Sequence, residues 1–105
     1  MSITLNGTIP GTTPATPVVI IQANGELGTS GPLKFKFSAP EVGAYALNFC
    51  IGPASNPCGL STSYVVTVPG GQERLAVVES NVFRTNVLVV TQGTSTNLPF
   101  SVTIE

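Results

Sequence analysis

The chain has 105 residues, enough for one domain with its own hydrophobic core, and only 9% of them are charged, far below the quarter usual in globular proteins. Four basic residues, Lys34, Lys36, Arg74 and Arg84, are spread along a chain of net charge −1. They form no run able to neutralise several phosphates or hold an anionic bilayer, which argues against nucleic acid and lipid headgroups as partners.

In chain order, residues 2–6 alternate, with Ile3 and Leu5 on one side and Ser2, Thr4 and Asn6 on the other, the period of a short half-buried strand. Residues 7–17 collect Pro10, Pro14 and Pro17 with two glycines and four threonines and read as a surface connection. Asn6-Gly7-Thr8 fits the N-glycosylation tripeptide, a pattern common by chance. Val18-Val19-Ile20-Ile21 is continuously apolar and predicts a strand covered on both faces. Asn24-Gly25 is a strong hairpin signal, although residues 26–31 offer little strand to pair with.

The stretch 33–68 is the centre of the pattern. Leu33, Phe35 and Phe37 face one way and Lys34 and Lys36 the other, which is strand periodicity. After a turn at 39–43 the alternation resumes, with Tyr45, Leu47 and Phe49 on one side and Ala46, Asn48 and Cys50 on the other. Cys50 therefore points away from the aromatic face. Residues 51–59 hold two prolines and two glycines and cannot continue as strand or helix, and residues 61–68 are strand again.

Pro69-Gly70-Gly71 predicts a tight turn, after which 72–79 returns as the second arm of a hairpin, with Leu75 and Val77 on one face and Arg74, Ala76 and Val78 on the other. Ser80-Asn81 reads as a brief turn before a strand over 82–92 that contains the apolar run Val87-Leu88-Val89-Val90. Residues 93–97 form a polar loop. The last segment, 98–104, alternates to its end, with Pro99 placed for an edge strand or a strand entrance. About eight strands and no helical periodicity predict one all-β domain over residues 1–105, an antiparallel β-sandwich or a jelly roll. The immunoglobulin signature is absent: Trp is missing and Cys50 lies five residues beyond Tyr45 instead of two.

Cys50 and Cys58 flank the Gly/Pro loop. They either close a small disulfide ring or stay reduced, and the outgoing and returning strands favour the ring. In the chain-entropy model a loop of about nine residues is worth roughly 2.6 kcal/mol. The spacing is not that of a redox-active C-x-x-C pair.

With neither His nor Asp in the chain, Ser-His-Asp and Cys-His nucleophile systems are excluded, and the usual zinc and calcium ligand sets are incomplete. Glu73 and Glu79 are the one pair of carboxylates near each other in sequence. At six residues apart on one strand they stand about 20 Å from each other, too far to act on one bond. The expectation is thus a protein without catalysis, cofactor or metal. The first functional expectation is a binding module, carbohydrate-binding and lectin-like, using end loops: Ser55 and Asn56 supply hydrogen bonds, and Tyr45 or Tyr64 a stacking face. The alternative is a structural or self-assembling homo-oligomer, such as a capsid-decorating or surface subunit, in which neighbouring copies cover the apolar runs. Partners are thus glycans or a protein surface. No basic segment followed by an apolar core opens the chain, and no run approaches the roughly 20 apolar residues that span a bilayer, so no membrane insertion is expected. The compartment stays open between the cytosol and the exterior.

Overall fold

The computed structural model describes residues 2–11, 15–22 and 31–105. Among these residues eight strands form: β1 (Ile3–Ile9), β2 (Val18–Ile21), β3 (Pro32–Ser38), β4 (Ala46–Gly52), β5 (Tyr64–Pro69), β6 (Glu73–Glu79), β7 (Val87–Thr91) and β8 (Leu98–Ile104), with one 3₁₀ turn at Ser80–Arg84. They make two four-stranded sheets, β1-β8-β3-β6 and β2-β7-β4-β5. Every pairing is antiparallel. This is the all-β sandwich that the alternating pattern predicts.

The pairings nest. First joins last, second joins seventh, third joins sixth and fourth joins fifth, so the chain runs as one long hairpin wound over two sheets. The alternation of each strand sends one set of side chains between the sheets. Phe35 and Phe37 of β3 meet Leu47 and Phe49 of β4, Val68 of β5, Leu88 and Val90 of β7 and Val102 of β8. Phe35 and Phe37 lie 5.4 Å apart between ring centroids, and Phe37 and Phe49 4.8 Å apart. Each such ring contributes about 1.5–3 kcal/mol by leaving water, an upper figure because the unfolded chain already buries some of it.

Several local expectations are corrected by packing. Strand β1 runs on through Gly7-Thr8-Ile9, which composition assigns to a connection. Gly7 sits opposite Phe100, whose ring lies so close that a Cβ at Gly7 would stand 2.6 Å from it. Glycine here makes room for an aromatic neighbour and does not end the strand.

Residues 69–71 turn tightly, with Gly71 at φ 78°, yet β5 and β6 belong to different sheets, so the turn is a crossover and not a hairpin. Residues 82–84 belong to the 3₁₀ turn, because Phe83 reaches the core from there and stacks 5.7 Å from Phe35. Val19 is 47% exposed, so β2 is not covered on both faces; its pairing with β7 shifts between Val19 and Ile21.

Strand β8 is central, between β1 and β3, and Pro99 is tolerated at its entrance. The missing N–H of Pro99 faces the β3 side, beyond the last ladder pair Ser38–Ser101, and no bond is lost. The Asn24-Gly25 turn lies outside the described residues.

Candidate functional site

Two surfaces compete, and the loop beyond β4 is the one that composition singles out. Cys50 and Cys58 are joined by a disulfide with their Cα atoms 5.2 Å apart. Because Cys50 faces away from the aromatic core, the bridge pulls the loop down onto the outer face of the second sheet. There Cys50, Cys58, Val87 and Val89 form a small second core. The loop backbone presses so close that a Cβ on Gly52 would meet the Pro57 carbonyl oxygen. The Asn56 N–H donates to the Pro53 carbonyl at 3.0 Å, the Ser63 N–H to the Leu60 carbonyl at 3.0 Å, and the Leu60 N–H to the Ser63 Oγ at 3.2 Å. The loop is thus fixed by its own bonds as well as by sulfur.

Ser55 and Asn56 are exposed at its tip, with the Asn56 amide folded against Gly59, and Tyr64 opens β5 at the same end, paired with Ile51. Tyr45 does not join them. It precedes β4, about 20 Å away along the strand from Ile51 at roughly 3.3 Å per residue. Its phenol donates to the Glu41 carbonyl and its ring lies against Gly70. Burial pushes the phenol pKa above its ordinary value, and the charge of Glu41 adds to the rise. The fold therefore gathers Ser55, Asn56 and Tyr64 at one end and uses Tyr45 to lock the turn at the other.

The second surface is a shallow groove of about 540 Å³ on the outer face of the first sheet. Ladder register explains its lining. Lys34 sits beside Val77, and Lys36 lies between Leu75 on one side and Thr103 on the other. Leu75 is 78% exposed and Val77 59%. Glu73 and Glu105 stand at the margins, so two ammonium groups and two carboxylates share the groove.

Leu75 and Val77 escape a reading of β6 alone, in which two large apolar side chains on one face look like core. The inner face of β6 is set by its partner: Phe35 opposes Ala76 and Leu33 opposes Val78. The lysines of β3, outward by their own alternation, are the sequence signal that marks this face as solvent.

Among the described residues no cluster of three or more His, Cys, Asp or Glu side chains is placed to hold a metal ion, and no helix is long and apolar enough to cross a membrane. Comparison with known protein families, curated proteins and solved structures finds no match, so the functional reading rests on the geometry of this chain.

Proposed function

We propose that this protein is a non-catalytic binding module that holds a carbohydrate in the groove on the first sheet. The observation that carries this reading is the lining itself: an apolar floor, Leu75 and Val77, beside groups that donate, Lys34 and Lys36, and groups that accept, Glu73 and Glu105. A sugar presents the matching pattern, C–H patches next to hydroxyls that both donate and accept. The opposed charges of the lining cancel, which favours a neutral sugar over an anionic one. The volume falls within the roughly 300–1,000 Å³ of small-ligand sites. The nested strand order, taken as a jelly roll, is compatible with lectin domains and with capsid domains, an analogy of fold that does not choose between them. The end-loop residues Ser55, Asn56 and Tyr64 remain the competing surface for the same function.

A glycan array followed by calorimetry on Lys36→Ala and Leu75→Ala tests the assignment. Wild-type protein is expected to bind a neutral oligosaccharide, with affinity falling about tenfold in each variant. Full affinity in both variants, with loss in Tyr64→Ala, moves the site to the disulfide loop. Absence of binding across the array removes the carbohydrate reading.

A second reading, a self-assembling subunit, is favoured by the exposure of Leu75 and Val77 on a strand at the edge of its sheet. The run from Val87 to Val90 lends it no support, since all four residues are buried within the single chain.

A further inference from the structure

We infer that β6 pairs, edge to edge and antiparallel, with the β6 strand of a second copy of this chain. The inference deepens the assembly reading and rests on it, while leaving the carbohydrate reading to stand or fall separately.

The backbone supplies the first reason. The Lys34 N–H donates to the Glu105 carbonyl at 3.1 Å and the Glu105 N–H to the Lys34 carbonyl at 2.9 Å, so Lys34 directs its polar backbone groups toward β8. Successive residues of a strand point these groups to opposite sides, and Phe35 therefore directs its own toward β6, opposite Ala76. The Ala39 N–H bonded to the Gln72 carbonyl at 3.0 Å fits the same phase. It follows that Arg74, Ala76 and Val78 bond to β3, while Glu73, Leu75, Val77 and Glu79 turn their N–H and C=O groups outward from the sheet edge.

Natural edges are blunted by shortness, bulges, prolines or lysines. Strand β2 is four residues long with a shifted register, and β5 closes on Pro69. Strand β6 carries charge at Glu73, Arg74 and Glu79, but it keeps an unbroken register with β3 over all seven residues and contains no Pro or Lys. Strand β1, the other edge of this sheet, is as long and as regular, so it is the outward side chains that set β6 apart. Its two outward apolar side chains are the ones most open to water among the strands.

Charge selects a second copy over an arbitrary peptide. With Leu75 on the two-fold axis, Leu75 faces Leu75 of the second copy and Val77 faces the second copy's Glu73. Lys34, beside Val77 on β3, then stands two strands from that carboxylate, about 10 Å between backbones, within the joint reach of the two side chains. The same contact repeats about the axis, so the surface is its own complement. Placing Ala76 on the axis instead would oppose Glu73 to Glu79, a like-charge pair across the ladder.

Light scattering and backbone amide exchange on the full chain, from about 1 μM to 1 mM, test this. The expected result is a concentration-dependent dimer in which the Leu75 and Val77 amides gain protection as the dimer fills. Leu75→Lys and Val77→Lys, both at exposed positions, are expected to weaken the dimer about tenfold or more with the melting temperature of the monomer unchanged. A monomer throughout the range overturns the inference and the assembly reading together. An oligomer whose Leu75 and Val77 amides exchange freely overturns the β6 interface and leaves assembly in place. Neither outcome touches glycan binding, which the array reads independently.

Discussion

The two outer faces of this sandwich begin from similar material and end differently. On the second sheet Val87 and Val89 lie on the outward side of β7 and are nonetheless buried, because the loop after β4 is folded over them and tied down through Cys50 and Cys58. On the first sheet Leu75 and Val77 lie on the outward side of β6 and meet solvent, with Lys34 and Lys36 alongside. Both faces carry branched apolar residues on strands with regular alternation. The difference is a cover, and the cover is a loop with a covalent pin. Whether an outward valine is structural or available to a ligand is thus decided by a segment distant from it in sequence.

The sharpest way to break this contrast is to remove the pin. Cys50→Ala with Cys58→Ala should lower stability by about 2–3 kcal/mol and the melting temperature by roughly 10 °C, and reductant should reproduce part of the loss in the wild type. A melting curve indifferent to both treatments would mean that the loop holds its place without sulfur.

Next in size is a matched pair of truncations. Val89→Ala, under the cover, should cost about 2 kcal/mol through lost burial and the cavity left behind, whereas Val77→Ala, on the open face, should stay within about 0.5 kcal/mol. Equal costs measured by denaturant titration would erase the distinction between the faces.

The smallest effect lies at the far end. Tyr45→Phe removes one phenolic hydrogen bond to Glu41, worth about 1 kcal/mol at neutral pH. Folding raises the phenol above its ordinary value of 10.0, first by burial and then by the Glu41 charge. The native state therefore keeps its proton where the unfolded chain has lost it, and stability is complete below that pH and falls as pH rises beyond it. The phenylalanine variant should show a flatter alkaline limb, and an unaltered limb would show that Tyr45 does not govern it.

Much of this fold was legible in the residues, and the exceptions share a cause. Alternation in 33–38 and 46–51 identified the strands and which side of each is aromatic, and it placed Cys50 on the outside of its sheet with the bridge to Cys58. Local pattern failed where a neighbour far along the chain dictates the outcome. Gly7 looks like a breaker until Phe100 is laid across it, and Val82 and Phe83 look like strand until Phe83 is required by the core from a 3₁₀ turn.

The Pro69-Gly70-Gly71 turn was visible, but not that it leads to the other sheet, since a crossover and a hairpin use the same glycines. For the candidate site the outward lysines of β3 were readable and the outward Leu75 and Val77 were not. Their direction follows from pairing, and pairing is not written in either strand alone.

The concentric strand order also constrains how the molecule can be assembled. Each pair encloses every pair within it, so the entropy of joining distant segments is least for β4 with β5 and greatest for β1 with β8. Closure is cheapest from the innermost hairpin outward. The sulfur bridge belongs to that hairpin, at the point where the winding is easiest to start, and the seam between Ile3 and Ile104 is the last to be sewn.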